Sequence, residues 1–222
     1  MSSEKNKLFY SLFFPGLFLL VIWIVGLAEY FLDVRFVEYG LYPRSWEGAV
    51  GILTSPLIHA DFNHLFANSV PLFVLGASLF YFYRSIALRV FLLIWLFSNI
   101  WVWGIGREAF HIGASGLVYG LAAFLFVSGL IRKEPRLMAI SMFVAFLYGS
   151  LIWGIFPDLF PEKNISWEGH LMGMLAGVIF AIYFRKQGPQ KRRYSWEIEG
   201  EDDEDVEGPA YWKVTPGPDF KP

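Results

Sequence analysis

GASGLVYGLAAFLFVSGLI, running from Gly113 to Ile131, contains no charged side chain, and its reading decides the fold. A helix of that length rises about 28 Å, close to the thickness of a bilayer's hydrocarbon core. It opens on Gly113-Ala114-Ser115-Gly116, where small residues surround one hydroxyl. Working outward, five more stretches have similar length and apolarity, and together they give six expected spans: Leu8 to Tyr30, His64 to Phe82, Leu88 to Ile105, Ser115 to Ile131, Leu137 to Phe156 and Gly169 to Phe184. The 222-residue chain is 55% hydrophobic and 19% aromatic with net charge -2, too apolar for an ordinary soluble domain. The expected fold class is therefore an all-α polytopic membrane protein of six transmembrane helices.

The first span is too long for a removed signal peptide and lacks its small-residue cleavage site. With no cysteine in the chain, disulfides and thiolate chemistry are excluded. No internal repeat and no nucleotide-binding glycine fingerprint occurs, and the reading assigns no cofactor, no metal and no nucleic-acid partner. Two units are expected, a membrane domain over residues 1–187 and a tail over 188–222 whose acidic run, Glu197 to Glu207, suits a disordered cytoplasmic segment.

Basic residues orient the bundle, because short cytoplasmic loops retain Lys and Arg. With both termini inside, the cytoplasmic face receives Lys5, Lys7, Arg84, Arg89, Arg132, Lys133, Arg136 and the basic residues from Arg185 to Arg193, against Arg35, Arg44, Arg107 and Lys163 outside. The second, fourth and sixth helices then begin at the outer leaflet. Their first turns hold most of the chemistry-bearing side chains. The outer loop between the first two spans carries Tyr39, Tyr42 and Trp46, suited to the headgroup level.

Ser115 sits at the start of the fourth helix between Gly113 and Gly116, at a terminus whose free N–H groups favour developing negative charge. Gly-x-Ser-Gly alone is equally a packing device between membrane helices. His170 shifts that balance, since an ionisable side chain in a membrane helix is costly and marks function by default. Gly169, Gly173 and Gly177 recur beside it at four-residue spacing, a smooth strip along which the sixth helix can approach a neighbour. If that neighbour is the fourth helix, His170 can act as general base toward Ser115. His64 and Asn68, four residues apart and hence on one helical face, are candidate oxyanion donors. Tyr119 shares the face of Ser115, where its ring can pack on His170. His59 reads as a loop-ordering residue and His111 as an interfacial one. Asp61, Glu108 and Glu168 read first as solvated charges, so no carboxylate stands out as a third catalytic member.

The set His59-x4-His64-x3-Asn68, Gly113-Ala114-Ser115-Gly116 with Tyr119, and His170-x2-Gly173-x3-Gly177 resembles the rhomboid intramembrane serine proteases in order, spacing and topology. The resemblance covers about Phe31 to Phe184. It implies a serine endopeptidase with a Ser115/His170 dyad near the outer leaflet, an oxyanion site from His64, Asn68 and the Ser115 backbone, and supporting roles for Tyr119, Gly113, Gly116, His59 and Gly173. Its substrates would be transmembrane segments of membrane proteins, cut beside small side chains, in a bacterial plasma membrane. One departure stands out: where many bacterial rhomboids carry Trp-Arg nine and eight residues before the first loop histidine, this chain has Val50 and Gly51. Rival readings are a metallohydrolase using His59, His64 and His170, a catalytically silent rhomboid-like protein that binds transmembrane helices, and, more weakly, a transporter.

Overall fold

The computed structural model describes residues 2–156 and 166–190. Six long helices follow in order: α1 Ser2–Leu32, α2 Phe62–Phe82, α3 Ala87–Ile105, α4 Ser115–Arg132, α5 Pro135–Tyr148 and α6 Trp167–Tyr183. Gly149–Ile155 prolongs α5 as tighter 3-10 turns, and Phe184–Lys186 does the same for α6. Among the described residues six helices are long and apolar enough to cross a membrane, and the expected spans agree with them to within a few residues. The protein is an integral membrane protein built as a helical bundle. The expected tail lies, from residue 191 on, outside the described residues.

Local chemistry sets the helix starts. Asp61 caps α2, its carboxylate accepting from His64 N at 2.7 Å; Glu134 caps α5 in the same way through Leu137 N, with Pro135 in the first turn. Ser166 caps α6 by accepting from Gly169 N. At the other end of α4, Lys133 takes the left-handed conformation that closes the helix.

Packing makes α4 the axis of the bundle. Its span is 61% buried, against 17% for α1 and 11% for α5. Leu65, Leu72, Leu75 and Leu79 form one face of α2, and with Ile94 of α3, Leu121 and Phe124 of α4 and Ala176 of α6 they make a continuous apolar core. The seam between α4 and α6 is closest. A Cβ built on Gly173 would land on the Gly116 carbonyl, and one on Gly177 on the Gly120 carbonyl. Glycine at these positions lets two backbones touch, which in lipid supplies the packing that apolar burial alone does not.

At the end remote from Ser115, buried Arg132 ties α4 to the chain leaving α6. Its guanidinium donates to Ser128 Oγ at 2.9 Å and to the Phe184 and Pro189 carbonyls, each at 2.6 Å. Three acceptors satisfy the fork, so the charge can stay buried.

The α1–α2 loop is ordered by backbone pairing. Leu41 and His111 exchange both of their main-chain hydrogen bonds, and Arg44 donates from its backbone to Trp103 O and from its side chain to Gly106 O. Trp103 returns a bond to Ser45 O at 2.8 Å. Gly51 packs so tightly on Leu41 that a Cβ there would strike its backbone, so no larger side chain fits where the family pattern has arginine. Trp46 is 86% exposed and Tyr39 is exposed, as membrane-interface aromatics would be, whereas Tyr42 packs on Phe110.

Candidate active site

Ser115 is the first residue of α4 and His170 lies in the first turn of α6. The glycine seam brings them together: His170 Nε2 is 2.9 Å from Ser115 Oγ. The other ring nitrogen, Nδ1, is 2.9 Å from the Gly154 carbonyl. A carbonyl can only accept, so Nδ1 carries the proton and Nε2 presents its lone pair to the hydroxyl. That is the tautomer a general base requires. Tyr119, one turn into α4, lies flat on the imidazole with ring centroids 4.1 Å apart and planes 6° from parallel. One face of the ring is thereby covered, and its rotation is blocked.

The turn entering α4 is built from the loop histidines. Gly113 adopts φ +103°, a conformation costly for any L side chain, and its missing Cβ makes room for the His64 ring, whose Cε1 and Nε2 a Cβ would overlap. Gly113 N donates to Ser55 O at 2.8 Å, and Ala114 N donates to His59 Nε2 at 3.3 Å. His59 and His64 meet edge to face at 5.1 Å. His59 is only 4% exposed; burial, reinforced by its neighbour His64, pushes its pKa down to about 4, so the ring stays neutral and can accept from the backbone. Asn68 is buried one turn after His64, and its amide donates one hydrogen to His64 O at 3.1 Å while a second remains. Among the described residues no three His, Asp or Glu side chains converge as a metal-ligand set.

A model of the Rhomboid domain matches residues 46–187, well over half of the chain. The chain belongs to the rhomboid family. This rhomboid is 35% identical over 182 residues to "Uncharacterized protein Rv1337" of Mycobacterium tuberculosis, covering 79% of this chain and 75% of the relative. It is 30% identical over 154 residues to "Putative rhomboid protease YdcA" of Bacillus subtilis, with 64% of this chain and 70% of the relative covered. "Putative rhomboid protein L523" of Acanthamoeba polyphaga mimivirus is 26% identical over 147 residues, covering 61% and 75%.

Three features of the rhomboid site depart from the sequence reading. The Gly154 carbonyl occupies the place beside the base where a triad has its acid, and a Cβ on Gly154 would meet both Tyr119 Oη and His170 Nδ1. His111 is buried rather than interfacial: Nδ1 pairs with Ser166 Oγ at 2.6 Å and Nε2 with Arg107 O at 3.1 Å. Burial lowers its pKa, which keeps it neutral as a hydrogen-bond bridge to the α6 cap. Glu168 is likewise no solvated charge, being 5% exposed with Oε1 3.6 Å from Arg107 Nε. Asp61 and Glu108 are both exposed charges as expected, Asp61 capping α2 and Glu108 paired with Arg44 at 3.2 Å. The cap at Ser166 was not read from the sequence, and the burial of His111 and Glu168 depends on partners in another connecting segment, Ser166 and Arg107.

Proposed function

We propose that this rhomboid is a serine endopeptidase that hydrolyses peptide bonds in or beside the transmembrane segments of other membrane proteins. The single observation that carries the reading is the hydrogen-bonded pair of Ser115 and His170, with Gly154 O behind the imidazole. In the mechanism, Ser115 Oγ attacks the scissile carbonyl as its proton passes to His170 Nε2. The oxyanion formed is stabilised by the Ser115 backbone N–H at the α4 terminus, by the His64 ring and by the free amide hydrogen of Asn68. Collapse breaks the C–N bond, His170 protonates the leaving amine, and an acyl ester remains on Ser115. Water, deprotonated by the same imidazole, then releases the acid and restores the serine.

A substrate helix has its carbonyls paired internally, so it must unwind locally before attack. Segments with glycine, proline or other weak helix formers near the cut are the natural class. The basic-residue bias supports a dyad at the outer leaflet with both termini in the cytoplasm, and a bacterial plasma membrane is the setting this reading takes. The test is purified protein with a model transmembrane substrate, beside Ser115→Ala and His170→Ala. Cleavage by the parent alone supports the proposal. Equal cleavage by all three sinks the dyad, and binding without cleavage by the parent favours the silent helix-binding alternative.

A further inference from the structure

Apart from the dyad, a polar cavity lies between the ends of α1 and α2, with a volume of about 300 Å3. That is the lower end of the range that holds small ligands. Glu29, Tyr30, Asp33, Arg35, His59 and Asp61 are among the residues that line it. Two buried side chains on its wall have unspent hydrogen-bonding capacity of opposite kinds.

Glu29 is 7% exposed, and its Oε1 accepts from Phe36 N at 2.7 Å. Its Oε2 makes no hydrogen bond among the described residues and keeps contact with solvent. A carboxylate there gains nothing from its helix, because negative charge is unfavourable near a helix C-terminus. Closing the Val34–Phe36 turn uses one oxygen and leaves the other. Opposite in kind is His59, whose Nε2 accepts from Ala114 N, so that the proton sits on Nδ1, where the Leu57 carbonyl is near but closes no hydrogen bond of good geometry. Arg35 lines the same space; one of its nitrogens donates to Ala60 O at 2.9 Å, and a guanidinium has four more N–H groups to offer. The cavity therefore offers an anionic side at Glu29 and Asp33, a third carboxylate in Asp61 that is already engaged by His64 N, and a set of donors with one fixed cation. Such a pattern fits a zwitterion.

We propose that this cavity binds the phosphoethanolamine headgroup of a membrane lipid, its ammonium on Glu29 and its phosphate on Arg35 and the His59 Nδ1–H. Location selects the lipid over a soluble compound. The candidate span of α1 ends at Leu32 and that of α2 starts at Phe62, which puts the cavity at the level where hydrocarbon gives way to headgroups. Tyr30, Phe31 and Leu32 beside it are 66%, 76% and 67% exposed, an apolar rim against which acyl chains can lie. A primary ammonium suits Glu29 Oε2 because it brings N–H donors, which a trimethylated choline lacks. The site is independent of catalysis, although His59 joins its wall to the residue preceding Ser115.

The full chain in a maltoside detergent, titrated with dihexanoyl phosphatidylethanolamine, phosphatidylcholine or phosphatidylglycerol, tests this through thermal unfolding and through lipid retained in native mass spectra. The expected result is a saturable rise in unfolding temperature with the ethanolamine lipid alone, and an apparent affinity about tenfold weaker or worse in Glu29→Gln and Arg35→Gln. Glycerophosphoethanolamine, the same headgroup without acyl chains, should compete only weakly; binding as tight as the lipid's would overturn the assignment to a membrane lipid. Equal responses to the three lipids overturn the headgroup site. So does undiminished ethanolamine-lipid affinity in Arg35→Gln, whose exposed side chain can be changed even if Glu29→Gln fails to fold.

Discussion

The α4–α6 seam and α5 both reach the imidazole of His170, yet they are held in opposite ways. Along the seam, glycines press backbone on backbone, and α4 is the most buried span of the bundle. By contrast, α5 is the least buried, gripped chiefly by Ser141, whose hydroxyl donates to Phe126 O at 2.8 Å, and bordered by a cavity of about 180 Å3 against α4 and α6. Close backbone contact fixes where the proposed nucleophile and base sit. The loosely packed helix contributes a single carbonyl, at its far end, that fixes which nitrogen of the base is protonated.

The largest way to break this contrast is at the seam's reacting pair. Ser115→Ala should lower cleavage of a transmembrane substrate by at least about 10^4-fold, because the remaining binding and oxyanion groups supply only a residue of catalysis. Next, Gly173→Val forces a side chain onto the Gly116 carbonyl and should cost about 3 kcal/mol. Ala145→Leu on α5, facing the cavity, should change stability by less than about 1 kcal/mol. Thermal unfolding in detergent compares the two, and equal costs would erase the distinction between the helices. Gly154→Ala sharpens it differently: displacing Tyr119 and the imidazole should lower kcat by about 10- to 100-fold with KM nearly unchanged.

Smaller effects probe the loop that braces the seam. His59 has its pKa lowered to about 4 from an ordinary 6.5, so between those values the unfolded chain binds the proton that the folded chain refuses. Its contribution is full above pH 6.5 and is lost as pH falls toward 4. The unfolding temperature of the parent should drop across that window, and His59→Gln should flatten the drop. Glu108→Gln is the weakest case, since an exposed pair with Arg44 is worth under about 1 kcal/mol; a larger change in unfolding temperature would mark that pair as a real brace.

Much of the fold was legible because lipid imposes length and apolarity on every span, and the glycine strip marked α6 as a helix able to approach a neighbour closely, with α4 named only as a condition. Ser115, His170, Tyr119 and the loop histidines carry their chemistry in their side chains, so spacing could draw attention to them. Gly154 could not be found this way: it acts through a main-chain carbonyl that every residue possesses, and only its bare Cα distinguishes it. Glu168 and His111 were misjudged because their burial depends on Arg107 and Ser166, partners from separate connecting segments. Val50 and Gly51 were visible as a departure, but their reason, the Leu41 backbone packed on Gly51, is tertiary.

Arg132 and the His111–Ser166 contact, at opposite ends of α6, together make that helix a beam resting on two supports. Between the bearings it also rests on α4 at Gly173 and Gly177, so the beam has no free midspan. His170 stands one turn from a bearing, with the Gly154 carbonyl at the end of the α5 extension as a stop against its ring.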